Sequence, residues 1–555
     1  MKSLIFAAAL VPYSAFGTTI IVTTTADEDD GSRGGGTGVS LREAVKYSAP
    51  GDAINFAPVL SGQTIRLTLG EITIANSLLI DGSALAEKIT LSGDKTGNGK
   101  TDDDTRILTI TAGNVLLDSL KFSGGYCPAE NPNTQGAGIY IDSVTTNLTV
   151  RNSNFSGNSA TDGGAIYFFG HPYSSNSVLR IENTDFTSNS ATAAAGAIRI
   201  FGSLVVSGSS FIGNTAGQGG AIYSRDGGFE ISNSRFTGNS AKSEGGAIWH
   251  YNTLRVTGST FSGNSAPYGG GISSSFAGPL TLENSTFTGN SARVYGGSLF
   301  ISGATTTILH STLTGNTALV GGGGIWRKTS NSIPVGNISI NNSIISGNTA
   351  PATPDVATTG TFTGSNNFTS GNPRLAPLGD YGGPTETMPP MPGSPVINLA
   401  ATTNTLATDQ RSFPRVGVSD IGAAEYQGGT DLARFWKLDA DGDGSPYGVE
   451  QALGTDPLVA DPTDTRRFTT PRFNVAGHAV LSFGIAPAVL GTRWILRRSP
   501  DLSGGSFTEI YRTDGVTDTA VPGVTFDRSA TRVTVTDENP LASRAFYRFE
   551  AVLEL

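Results

Sequence analysis

The stretch DADGDGSPYGVE at residues 439–450 has the residue types and spacing of a calcium loop. Asp439, Asp441 and Asp443 fill positions 1, 3 and 5, Gly444 at position 6 permits the sharp turn, and Glu450 at position 12 supplies a bidentate carboxylate. Ser445 at position 7 offers its backbone carbonyl, and Tyr447 at position 9 acts through water. Pro446 stands at position 8, where paired loops place an aliphatic for their shared bridge, so a solitary site is expected. The segments TDLARFWKL at 430–438, with Thr430 as N-cap, and VEQAL from Val449 read as the flanking helices. The expected cofactor is therefore Ca2+, held by Asp439, Asp441, Asp443, Ser445 and Glu450. A second oxygen-rich stretch, GDKTGNGKTDDD at 93–104, matches no known loop spacing and reads as a solvated turn.

Other chemistry is thinly represented. The four histidines, His171, His250, His310 and His478, fall at unrelated places, and His250, beside Trp249, reads as a surface residue. Cys127 is the one cysteine, which excludes an intramolecular disulfide and leaves a packed thiol without a histidine partner. General acid and base work on glycans needs paired carboxylates, and no Asp-Asp pair occurs between residues 140 and 350. No catalytic residue is assigned. The net charge of −10 argues against nucleic acid, which needs clustered Lys and Arg.

These few sites ride on a long repeat. FxGN or FxSN occurs at Phe155, Phe186, Phe211, Phe236, Phe261 and Phe287, with Leu313 and Ile345 replacing Phe in two more copies. The step is 25 residues from Phe211 to Phe236 and again to Phe261, then 26 to Phe287 and to Leu313. GGAIY at 163–167 and 219–223, GGAIW at 245–249, GGGIS at 269–273 and GGSLF at 296–300 keep step with it. Each unit offers three short runs of period-2 alternation separated by Gly, Asn and Ser. One such coil cannot bury its apolar side, whereas stacked coils pair every strand with the next. The expectation is an all-β, right-handed parallel β-helix with the Phe column inside. In 253–261, Leu254, Val256, Ser259 and Phe261 should face inward, with Arg255 and Thr257 outward. Asn214, Asn239 and Asn264 are expected to ladder and to tolerate left-handed backbone, and Gly219 and Gly220 to turn the chain.

The GGAI and FxxN motifs resemble those of the chlamydial polymorphic membrane proteins. VSLREAV at 39–45 resembles the CSLREA motif of bacterial β-helix proteins, with Val39 in place of its Cys. DYGGPTETMPPMPGSPVIN at 380–398 and TDQRSFPRVGVSDIGAAEY at 408–426 resemble the choice-of-anchor Q segment that closes such helices. The resemblance implies a surface protein, adhesin-like in some members, but the tail here is too short for that family's autotransporter barrel.

The resulting organisation is a signal peptide at 1–17, the β-helix with its closing segment at 18–427, a calcium-loop linker at 428–466 and a β-sandwich at 467–555. The first rests on Lys2, the apolar run from Leu4 to Val11 and the small residues before Thr18. The last rests on strand-like runs such as AVLSF, RWILRRS and RVTVTDE, with Trp494, Phe546 and Tyr547 as core. No later segment holds 18 uninterrupted apolar residues, so no transmembrane helix remains after cleavage. The functional expectation is a secreted or cell-surface, non-enzymatic monomer that binds extracellular polysaccharide or a neighbouring cell surface. Each coil should present small polar side chains along one flank. The alternative is a polysaccharide lyase or glycoside hydrolase of the pectate-lyase-like fold.

Overall fold

The computed structural model describes residues 17–428 apart from 102, 128–133, 144–145, 171–176, 276–277, 329–335, 358–361 and 404, then 431, 435 and most of the strands within 472–553. Residues 1–16 and the loop 439–450 lie outside the described residues. Contacts divide the chain into two units.

The first unit is a β-helix solenoid of parallel strands. Sheet A has thirteen strands, from Thr19–Val22 to Phe362–Thr363, sheets B and C have eleven each, and sheet D has seven. A coil visits them in the order A, B, D, C, as in Ser203–Ser207, Ser210–Ile212, Thr215–Ala216 and Ile222–Arg225. The three runs per coil expected from sequence are thus four. The fourth, too short for period-2 reading, is the two- to five-residue piece after each FxGN. The predicted facing holds: Leu254, Val256, Ser259 and Phe261 are buried and Arg255 is exposed. Phe122, Phe155, Phe186, Phe211, Phe236, Phe261 and Phe287 form one buried column with ring centroids 4.5–4.9 Å apart. Each ring contributes roughly 1.5–3 kcal/mol by burial alone.

Polar side chains close the corners of this core. The FxxN asparagines form an unbroken ladder from Asn158 to Asn348, each Nδ2 donating to the next Oδ1 at 2.9–3.0 Å. Asn239 shows the full set: its Oδ1 also accepts from Asn214 N, and its Nδ2 also donates to Phe211 O. A hydroxyl ladder runs beside it, with Thr184, Ser209, Ser234, Ser259 and Ser285 each accepting the backbone N–H of the preceding rung. The left-handed role falls to a different set of residues. Asn183, Asn233, Asn284, His310 and Asn342 have φ between 43° and 51° at the A–B corner, whereas the ladder asparagines do not. Gly219 turns with φ 58°, while a Cβ on Gly220 would lie 2.0 Å from Gly246 O, so Gly220 is required by close approach.

The SLREA segment forms a helix, α1 (Leu41–Lys46), with a capping box between Ser40 and Glu43. Leu41, Ala44 and Val45 join the solenoid core, and Val39 packs partly against it. Arg42 pairs with Asp27 at 2.7 Å and donates to the carbonyls of Gly70 and Glu71, tying α1 to the first coils.

The segment expected to close the helix instead runs back along its side. Thr385 Oγ1 donates to Gly258 O, Asn284 Nδ2 to Thr408 O, Ala423 N to Thr312 Oγ1 and Gly422 N to Asn342 O. It therefore straps sheet B and the A–B corner over four successive coils. The cause is readable in the strand position before each Phe. Lys121, Asn154, Asp185, Ser210 and Arg235 give way to Thr260, Thr286, Thr312 and Ile344 beneath the strap. Those last four are buried. Gln410 anchors the strap by bonding Thr286, Thr387, Thr260 and Thr385 at 2.6–3.0 Å.

The second unit holds residues 374–381, 389–395 and 426–555. Asp431 and Phe435, within the expected 430–438 helix, are helical. Further along are two four-stranded antiparallel sheets, whose residues share one core built on Leu481, Phe483, Trp494, Leu496, Tyr511 and Val535. Trp494 is fully buried as expected, Tyr547 packs partly against this core, and the Phe546 side chain lies outside the described residues.

Candidate functional site

The outer face of sheet C is where the coils present chemistry. Period-2 alternation sends the aliphatic residue of each GGxI motif inward and the next residue outward. Parallel register then aligns these outward residues in one file: Tyr140, Tyr167, Arg199, Tyr223, Trp249, Ser273, Phe300, Trp326 and Ala357. The file is mostly aromatic; Tyr140, Tyr167 and Trp326 are half-buried, while Tyr223, Trp249 and Phe300 are buried among their neighbours. Tyr140 and Tyr167 stack at 5.5 Å, and Tyr223 and Trp249 at 4.3 Å. Arg199 fills the one cationic place, its guanidinium 5.1 Å from the rings of both Phe201 and Tyr223 and paired with Asp162.

The small polar file expected on one flank exists, but on sheet D. There Ser159, Ser190, Thr215, Ser240, Ser265, Ser291 and Thr317 align. The aromatic file of sheet C is not visible in any one GGAIY or GGAIW strand, because it exists only in the register between coils. Its signal is the residue after the aliphatic, which is aromatic in six of the coils from Tyr140 to Trp326.

Along the stretch from Tyr167 to Phe300, two carboxylates of the described residues border this face, Asp162 and Glu244, and both are engaged. Asp162 pairs with Arg199 and accepts from Ala194 N at 3.1 Å. Glu244 accepts from the Trp249 indole at 3.1 Å and from Ser273 Oγ at 3.0 Å. They lie three coils apart through the register of sheet D. At about 4.8 Å per coil that is roughly 14 Å, beyond the ~5–9.5 Å over which two carboxylates share a glycosidic bond.

Near its end the file opens into a cleft. Tyr295 stacks on Trp326 at 3.9 Å, and Tyr268 meets Phe300 at 5.2 Å. The next coil places only Ala357 opposite Trp326. The resulting cavity of about 690 Å³ is also lined by Glu244, Arg327, Lys328 and Thr353.

His250 is buried rather than at the surface, because its place in the coil points into the core. Its Nδ1 meets Asn252 O at 2.8 Å, Nε2 has no partner, and burial lowers its pKa to about 4. His310 is likewise buried under the strap, its pKa lowered to about 3 by desolvation and then by the charge of Arg415. Both imidazoles are neutral near pH 7. Cys127 is a packed thiol whose pKa is raised by burial. In the 93–104 loop, Asp94 accepts from Gly97 N and Gly99 N, and Asp104 from Lys95 N and Thr101 N. Those carboxylates fold their own turn. Asp439, Asp441, Asp443, Ser445 and Glu450 lie outside the described residues. Among the described residues no group of three or more His, Cys, Asp or Glu side chains converges to hold a metal, and no helix is long and apolar enough to cross a membrane.

Three stretches match the Chlamydia polymorphic membrane protein repeat: residues 152–168, 208–225 and 233–251. Each runs from the A–B corner through the buried Phe and the ladder Asn to the GGAI strand, so the similarity covers the B–D–C part of a coil. A search of curated proteins finds no significant match. Among solved structures, pectate lyase Pel9A aligns with 74% of this chain and 97% of its own, at 12% identity and a TM-score of 0.35. That likeness is too distant to bear on reaction or substrate.

Proposed function

We propose that this is a secreted or cell-surface, adhesin-like protein that binds glycan through the outward faces of its coils and cleaves nothing. The observation that carries this reading is the register-aligned aromatic file of sheet C. It repeats an aromatic contact in six of the coils from Tyr140 to Trp326, and a repetitive partner multiplies weak contacts into firm retention. Catalysis instead needs one unlike constellation, and Asp162 and Glu244 are separated and occupied. The similarity to the polymorphic membrane protein repeat supports a cell-surface or outer-membrane location, and the signal peptide read at residues 1–17 supports export.

The test is excision of whole coils. Removing residues 209–233, and then 209–258, keeps the ladder register because Ser209, Ser234 and Ser259 are equivalent. Retention on insoluble polysaccharide should fall in steps with coil number. Abrupt loss with one coil, together with new reducing or unsaturated sugar ends, overturns the reading in favour of a lyase or hydrolase.

The loop 439–450 is proposed to bind one Ca2+ through Asp439, Asp441, Asp443, Ser445 and Glu450, on the strength of its spacing. Bound metal would stabilise the folded loop and so stiffen this joint of the chain. Calorimetry should show one calcium site in the wild type and none in Asp441→Ala. Equal titrations would reduce the loop to a linker.

A further inference from the structure

We propose that the cleft beside Trp326 is a discrete subsite for one or two pyranose units of a glycan, an inference that rests on the glycan reading of this face. Most outward aromatic rings of the file have a large side chain opposite them in the next coil. Opposite Trp249 stands Ser273, which bonds Glu244, and opposite Trp326 only the methyl of Ala357. Tyr295 backs Trp326 at 3.9 Å and 16°, which holds the indole in place. Small residues, Ala352 and Ala357, leave the adjoining space open, and Phe300 and Tyr268 wall it at 5.2 Å from one another.

The polar groups are distributed as a sugar requires. A pyranose ring has an apolar C–H face and a hydroxyl rim. Here apolar ring surface lies beside Glu244, Lys328 and Thr353, while Arg327 shares the inward register of Ile301 and is buried. Glu244 is fixed by the Trp249 indole and Ser273, which hold its carboxylate in place at the cleft. The cavity of about 690 Å³ lies within the ordinary range of small-ligand sites, roughly 300–1,000 Å³. Mixed charge at the rim suits hydroxyls and acidic substituents alike, so neutral and acidic sugars share this chemistry.

The experiment titrates the full chain with cellohexaose and, separately, with hexagalacturonate. Saturable binding of at least one is expected, weakened tenfold or more in Trp326→Ala and unchanged in Lys242→Ala, an exposed residue outside the cleft. Lys328→Gln should weaken only the acidic oligomer, and a thermal melt of each variant separates loss of site from loss of fold. The proposal is overturned if neither hexasaccharide saturates a site, or if folded Trp326→Ala binds as the wild type does. Graded retention on polymer with an unaltered Trp326→Ala titration would sink the cleft alone. Hexasaccharide binding without any dependence on coil number would instead sink the reading of the whole file.

Discussion

Phe236→Ala is expected to destabilise the solenoid by about 3–5 kcal/mol, read as a fall in the midpoint of denaturant unfolding. The ring is fully buried, with Phe211 at 4.7 Å on one side and Phe261 at 4.6 Å on the other. Its removal opens a cavity that cannot collapse, because the Asn and hydroxyl ladders fix the distance between coils on both sides of it. A solenoid is stabilised by neighbour interfaces, and this one substitution weakens two of them. The loss should therefore exceed that of Leu313→Ala, which lies near the end of the column beside Ile345. A loss below about 1 kcal/mol for Phe236→Ala would mean that the ladders, not the rings, hold the stack.

What was legible in the sequence follows from how far each signal reaches. The Phe column, the Asn ladder and the facing of 253–261 depend on a period of 25 or 26 residues that any two copies reveal. Sheet D was not legible, since a strand such as Thr215–Ala216 is too short to show alternation. The left-handed corner lies one motif upstream of the FxxN asparagines. Asn183 and Asn233 stand before the Phe, where the chain leaves sheet A, outside the FxxN pattern. His250 stands two residues after the inward Ile248, so alternation along the GGAIWH strand, rather than its neighbour Trp249, is the signal that sets it inward. Of the functional surface, the aromatic residues were visible but their alignment was not, because it appears only when coils are stacked. The cleft depends on an absence, Ala357 opposite Trp326, in a coil whose motif is degenerate.

The strap offers the second large effect, and one of a different kind. Arg415 is almost wholly buried and pairs with Glu425 at 3.2 Å, each side chain only 2% exposed. The same guanidinium donates to Asn284 Oδ1 and Gly422 O at 2.9 Å, so a single side chain joins strap to strap and strap to coil. Arg415→Met leaves the Glu425 carboxylate buried with only the amides of Val416 and Asp420. Stranding a buried charge in this way costs about 3–5 kcal/mol. The cost should fall on the strap alone. The Phe column and both ladders do not pass through residue 415, and segments with separate anchors open as separate cooperative units. Limited proteolysis should therefore cut the variant within residues 396–425 while the solenoid's melting temperature stays near that of the wild type. Arg415→Met combined with Glu425→Gln removes the stranded charge and should restore most of the protection. If Arg415→Met instead lowers the melting of the whole solenoid, the strap is part of the cooperative core. Thr260, Thr286 and Thr312 would then be buried there because the coils depend on their cover.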